Sequence, residues 1–230
     1  MKRLLFLSVA ACAFSQTPAP PPGAPAAGGA ALPDGLYAIF NTERGVIKVQ
    51  LFEKETPLTV ANFVGLAKGT KAWKDSKTGA MVKRPMYNNI AFYRIMMDQM
   101  IQAGDPTGKG STPCGITLKD EIRPNLKFDQ PGRLAMANRS APNTAECEWF
   151  ITNVVAPPWD GSYTIFGQVV EGQDVVKAIS RVAAIATIAK NPAKLITLTI
   201  QRVGPEPAHA TPAKKAAPPA TKKSAAPAKQ

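Results

Sequence analysis

Residues 91–105 read Ala91-Phe92-Tyr93-Arg94-Ile95-Met96-Met97-Asp98-Gln99-Met100-Ile101-Gln102-Ala103-Gly104-Asp105. Two short strands are legible here, 90–96 and 100–103, with Asp98 between them and Gly104-Asp105 closing the second. Working outward, similar short runs occur at 133–137, 149–152 and 164–170, each bounded by Gly, Pro, Asn or Asp. Upstream, 36–42 and 46–52 read as a hairpin around Glu43-Arg44-Gly45, and Ile47, Val49 and Leu51 alternate with Lys48 and Gln50 as in a half-buried strand. Thr56-Pro57 then supplies a helix N-cap and a first-turn proline; Val60, Phe63, Val64 and Ala67 follow at helical spacing until Gly69. Residues 71–84 read as a polar loop, 173–182 as a second helix and 195–203 as a closing strand. Many short strands with two helices predict a mainly β fold, a closed barrel or a sandwich carrying helical caps. No period of 20 to 50 residues repeats.

The ends differ from this body. Lys2 and Arg3, the apolar stretch 4–11 and the small residues after it have the pattern of an export signal over 1–16. Val9-Ala10-Ala11-Cys12 is similar to a bacterial lipobox, in which Cys12 is lipidated and becomes the mature N-terminus; the other reading is ordinary cleavage near residues 13–15, with Cys12 discarded. Either reading puts the domain in the periplasm, free or tethered to the membrane through Cys12. Residues 17–35, rich in Pro, Ala and Gly, form a linker, 36–204 the domain, and 205–230 a disordered Ala/Pro/Lys tail. The formal net charge of +12 is concentrated partly in that tail, which suits non-specific contact with a polyanion or simple solvation. No aromatic residue interrupts the tail to stack on a base, so specific nucleic-acid binding is not expected. The one histidine, His209, lies there too, which argues against a Ser/His/Asp triad or a His-ligated metal in the folded body. Export gives Cys114 and Cys147 an oxidising compartment that favours pairing; alternatively they are two small buried residues that never meet.

Four stretches occur in one order: Phe92-Tyr93-Arg94-Ile95 with Gln102-Ala103-Gly104-Asp105; Leu134-Ala135-Met136-Ala137-Asn138; Pro142-Asn143-Thr144 with Trp149-Phe150-Ile151-Thr152; and Asp160-Gly161-Ser162-Tyr163-Thr164-Ile165-Phe166-Gly167. Together they resemble the cyclophilin family of peptidyl-prolyl cis-trans isomerases, over residues 36–203. The resemblance implies a closed eight-stranded antiparallel barrel with a helix over each end and an active site on its outer surface. Position by position, it implies Arg94 as the catalytic arginine and Gln102 as its neighbouring glutamine. Met100 and Phe150 become the floor of a proline pocket, and Ala137 and Asn138 the segment that binds substrate backbone. Neither cofactor nor metal is implied. The expected partners are Pro-containing segments of unfolded or exported proteins, and a monomer is expected.

These residue types suit that reaction. An amide resists rotation, with a barrier of about 18 to 20 kcal/mol, because the nitrogen lone pair is delocalised into the carbonyl. Twisting the bond localises that pair, and a guanidinium aimed at the prolyl nitrogen can then donate to it. The interaction is stronger in the twisted state than in either planar isomer, which is the condition for catalysis.

Several positions depart from the family pattern. Gln99 stands in place of a pocket phenylalanine, and Glu148 in place of a glutamine that binds substrate backbone, where its carboxylate accepts hydrogen bonds only and is placed to draw Arg94 into an ion pair. Pro158-Trp159 replaces Trp-Leu, so Trp159 is expected to wall the pocket; Tyr163 replaces a histidine; and one residue is inserted between Asn138 and Pro142. These changes support an alternative function, a cyclophilin-like Pro-peptide binding or chaperone module with weak or no isomerase activity. The resemblance also puts Cys114 and Cys147 on loops bordering the subsite beside the proline pocket, where a disulfide would fix the entrance.

Overall fold

In the computed structural model, residues 31–110 and 112–206 are described. The expected export signal with Cys12, most of the linker and the tail beyond Glu206 lie outside the described residues. The chain opens with the hairpin Gly35–Thr42 (β1) and Gly45–Leu51 (β2), followed by the helix Pro57–Lys68 (α1). Seven short strands come next: Trp73–Lys74 (β3), Met81–Val82 (β4), Ile90–Ala91 (β5), Arg94–Met96 (β6), Met100–Ala103 (β7), Arg133–Met136 (β8) and Trp149–Thr152 (β9). The last part holds Ile165–Glu171 (β10), the helix Gln173–Ser180 (α2), Ala184–Ile185 (β11), Ile188–Ala189 (β12) and Lys194–Val203 (β13).

β11, β12, β6, β7, β9, β8, β10, β2, β1, β13 and β5 pair in that order into one eleven-stranded sheet. The strand count exceeds the eight of the barrel that the resemblance implies, and the end strands β11 and β5 are not paired with each other. Part of the difference is an added hairpin, β11–β12, laid on β6. The rest is a break: the segment read as one strand, 90–96, pairs with β13 through β5 and with β7 through β6, and Phe92 and Tyr93 lie between.

Strand alternation divides the apolar side chains between two clusters. Ile101 and Ala103 of β7, Leu134 and Met136 of β8, and Trp149 and Ile151 of β9 enter the main core with Val60, Phe63, Leu66 and Ala67 of α1 and Val176 and Ile179 of α2. Trp149 is fully buried there, edge-on to Phe40 at 5.1 Å between ring centres. The alternate residues, Met100, Ala135 and Phe150, point the other way and form a second cluster with Phe128, Ala156 and Ile165. That outward cluster builds the site.

Two local expectations need correction. Thr56 is the N-cap residue of α1, but its hydroxyl donates back to Phe52 O at 3.0 Å. The buried Glu121 carboxylate caps the helix instead, accepting from Leu58 N at 3.2 Å and Thr59 N at 2.8 Å. The loop expected over 71–84 contains the β3–β4 hairpin, held by buried Trp73, whose indole N–H donates to Arg84 O at 2.9 Å. Two-residue strands are too short to show a period, so sequence pattern passes over them.

Candidate active site

One row of cross-strand partners sets the site. Arg94 pairs with Gln102, Gln102 with Phe150, Phe150 with Ala135, and Ala135 with Ile165. Directly opposed residues of antiparallel strands share a face, so the row puts a cation, an amide and an apolar floor side by side on the outer surface. A groove of about 540 Å³ lies over it, lined by Arg94, Met100, Gln102, Ala137, Asn138, Glu148, Phe150, Trp159 and Tyr163 among others. All the expected site residues except Gln99 thus come together. Gln99 is exposed and lies outside the groove lining, its main chain tied to Met96 and Asn153 by hydrogen bonds of 2.9 and 2.6 Å.

The apolar part of the groove is a box of rings. Met100 and Phe150 are buried at its floor. The Tyr163 and Trp159 rings stand nearly perpendicular to Phe150, 5.2 and 5.6 Å from it between ring centres. Phe128, fully buried, stacks on Phe150 from behind at 5.9 Å. Phe128 is not among the site residues expected from sequence, since it sits in a stretch without periodicity. Asn138 ties the groove wall together: its side-chain amide donates to Ser162 O at 2.8 Å and its carbonyl oxygen accepts from Ser140 N at 3.1 Å. Ala137 N donates to Glu148 O at 2.9 Å, which closes the wall onto the strand carrying Phe150.

Beside this box runs a polar chain. Arg94 Nη1 donates to Gln102 Oε1 at 2.9 Å, and Gln102 Nε2 donates to Glu148 Oε2 at 2.9 Å. A guanidinium only donates and an ionised carboxylate only accepts, so the two neighbours fix which way the Gln102 amide faces. Glu148 is therefore not the direct ion partner of Arg94 that the sequence suggested; Gln102 stands between them. Tyr93, nearly fully buried and absent from the expected site residues, completes the chain: its hydroxyl donates to Glu148 Oε2 and accepts from Gln102 Nε2. Its position inside Phe92-Tyr93-Arg94 was the available signal, but alternation alone sends a residue next to Arg94 to the opposite face. Burial pushes the Glu148 carboxyl above the usual range, against the hydrogen bonds from Tyr93 and Gln102, which pull it down. Burial, reinforced by the Glu148 charge, likewise raises the Tyr93 phenol, which stays a donor.

Charged side chains line the groove as well: Arg139, which pairs with Glu146, and Lys109. Cys147 lines the groove beside Glu148 and is joined to Cys114 by a disulfide, with Cα atoms 6.5 Å apart. The loop carrying Cys114 is also held by Glu146, which accepts from Cys114 N at 3.0 Å. An apolar box, a fixed guanidinium at its edge and a backbone-lined wall can hold a flat ring while a donor faces the bond next to it.

Comparison with known proteins agrees with this geometry. A family model described as cyclophilin type peptidyl-prolyl cis-trans isomerase/CLD matches residues 37–204. Peptidyl-prolyl cis-trans isomerase A of Mycobacterium tuberculosis is 45% identical over 148 residues, which cover 64% of this chain and 81% of that protein. Peptidyl-prolyl cis-trans isomerase B of Streptomyces anulatus is 38% identical over 169 residues, covering 73% and 95%. Among solved structures, a Cryptosporidium parvum cyclophilin type isomerase crystallised in the presence of the dipeptide Ala-Pro superposes with a TM-score of 0.63 at 27% identity, over 73% of this chain and 99% of that one. With the match spanning the whole sheet and both helices, the chain belongs to the cyclophilin-type peptidyl-prolyl cis-trans isomerases.

Proposed function

We propose that this isomerase accelerates rotation about X-Pro bonds in exported proteins, and that Arg94 does so by donating to the prolyl nitrogen in the twisted state. One observation carries the mechanism: Gln102 holds the Arg94 guanidinium, at 2.9 Å, beside a ring-lined box of the right kind for a pyrrolidine. Met100, Phe150, Trp159 and Tyr163 grip the ring while Ala137 and Asn138 hold the flanking backbone, so one side of the bond turns against a fixed other side. Uncatalysed, such bonds take tens to hundreds of seconds to isomerise, long enough to limit folding. The test is a proline-isomerisation assay on wild type and Arg94→Ala. Loss of the fixed donor should lower kcat/KM by a factor on the order of 100. Wild-type rates no higher than those of the variant would sink the enzyme mechanism in favour of a Pro-peptide binding module.

Export is supported by the signal pattern over 1–16, and tethering by the lipobox-like Cys12; mass spectrometry of the mature N-terminus distinguishes lipidation from ordinary cleavage. The basic tail is proposed as a non-specific polyanion contact, which deleting residues 205–230 would remove. A closed barrel is the proposed form of the sheet, and its support is the continuity of β5 and β6 across only two residues.

A further inference from the structure

The row of cross-strand partners does not stop at Arg94. On its other side Arg94 opposes Ile188 of β12, and Ile188 opposes Ile185 of β11, the outermost strand. Ile95 N donates to Thr187 O at 2.7 Å and Ala189 N donates to Tyr93 O at 3.0 Å. These bonds flank Arg94 and Ile188 without joining them, so the two form a non-hydrogen-bonded pair, the kind whose side chains lie closest. The hairpin is therefore bound to the backbone of the arginine strand on both sides of Arg94. Its sequence, Val182-Ala183-Ala184-Ile185-Ala186-Thr187-Ile188-Ala189, carries no charge between Arg181 and Lys190. Yet Ile188 is 53% exposed and Ile185 65%. Thr187 and Ile188, with Met96, line the same groove as Arg94. The groove thus has an apolar border here, across Arg94 and Gln102 from Phe150 of the proline box.

We propose that Ile188 and Ile185 form a further substrate subsite, taking an apolar side chain near the proline of an extended segment. The proposal rests on the isomerase reading of the same groove. The occupant follows from continuity: a chain gripped at Phe150 and crossing Arg94 runs along the row and arrives over Ile188. From Phe150 to Ile188 the row crosses three strand spacings, about 14 Å, or about four residues of extended chain. An apolar residue there covers side chains that water otherwise wets, whereas a charged or small polar residue gains nothing from them. The subsite would select substrates with a hydrophobic residue three or four positions from the proline, as exposed core segments of unfolded proteins present.

The test uses alanine-based peptides with one proline and either Leu or Ser three or four residues to each side of it. For wild type, kcat/KM should favour Leu over Ser at one of these positions by about fivefold, mostly through KM. In Ile185→Thr/Ile188→Thr, which keeps β-branched residues in both strands, that ratio should fall towards one. Ile185→Thr alone, which leaves the partner of Arg94 intact, should give an intermediate ratio. Tryptophan fluorescence titration with the same peptides reads the binding preference apart from turnover, so it tests the subsite even if the assay with Arg94→Ala overturns the mechanism. Equal Leu-to-Ser ratios in wild type and double variant, or losses of the same factor on both peptides, would overturn the proposal. So would an unchanged ratio with a wild-type dimer that the double variant dissociates in light scattering, since the hairpin would then cover a second copy.

Discussion

At the scale of single residues, the arginine's aim depends on a hydrogen-bonded chain reaching from Arg94 through Gln102 to Glu148 and Tyr93. Tyr93→Phe keeps the buried ring and removes the hydroxyl. Glu148 then loses a donor and Gln102 Nε2 loses one of its two acceptors, so the guanidinium becomes less well fixed. One net hydrogen bond of about 1 kcal/mol predicts a fall in kcat of about fivefold with KM little changed, since Tyr93 does not line the apolar box. Steady-state kinetics on a short proline peptide checks the split; a rise in KM alone would make Tyr93 a binding residue. Glu148 adds a pH dependence. When it is ionised, it orients Gln102; once protonated, it offers a donor where Gln102 also donates, and the chain must rearrange. Activity should therefore fall with decreasing pH through an inflection above the ordinary carboxylate range, and Glu148→Gln should remove that inflection. The stability effect has the opposite sign. Because burial raises the folded-state pKa of Glu148, the folded form binds more protons than the unfolded form between the two values, and stability drops as pH rises through that window. Melting temperatures should thus favour Glu148→Gln over wild type at pH 7, with the advantage shrinking below the unfolded carboxylate value.

At the scale of elements, the turn after β7 brings the strand carrying Gln102 close against the segment carrying Glu148. Gly104 has φ of +107°, and a Cβ placed on it would stand 2.5 Å from Cys147 O and 2.7 Å from Glu148 Cα. Gly104→Ala therefore forces apart the strand that carries Gln102 and the segment that carries Glu148. The expected cost is at least about 2 kcal/mol in a denaturant titration, with a parallel loss of activity. An unchanged midpoint would mean that the two segments separate freely. This turn was legible in sequence, as were most strands, because Gly104-Asp105 punctuates a run and because alternation in β2 exposes its period. The helix α1 was legible in its apolar spacing but not in its cap, since Glu121 lies 62 residues from Thr59 and no local pattern connects them. The β11–β12 hairpin was illegible because its strands hold two residues each and carry no charged or polar residue to mark an alternation. The two-residue gap in 90–96 went unread because a break in pairing leaves the apolar pattern of Phe92 and Tyr93 unchanged. At the site, the residues that touch the groove through a motif were readable one by one. Phe128 and the role of Tyr93 required the packing itself, since each acts through a neighbour distant in sequence.

For the molecule as a whole, the Cys114–Cys147 disulfide bears on stability and on the groove together. It closes a loop of 33 residues that contains β8, Phe128 and the groove wall at Ala137 and Asn138. Constraining a loop of that length in the unfolded chain stabilises the fold by about 3 to 4 kcal/mol on the chain-entropy account. That is a large share of the 5 to 15 kcal/mol usual for a domain, so reduction should show clearly in unfolding. The loss should not simply abolish the site. Cys114 N is still held by Glu146, and Tyr87 donates to Cys147 O at 2.9 Å, so the two loops keep other ties. Cys114→Ser/Cys147→Ser should therefore lower the guanidinium midpoint to the extent set by those few kcal/mol. Wild type in excess reductant should match it, while oxidised wild type stays apart. Activity at low denaturant should survive with a higher KM, because Cys147 borders the wall next to Glu148 while Arg94 and Gln102 lie on strands outside the closed loop. Equal midpoints for oxidised and reduced wild type would show that the bond adds nothing to the fold; a collapse of kcat instead of KM would show that the loop orders the arginine and not only the groove entrance.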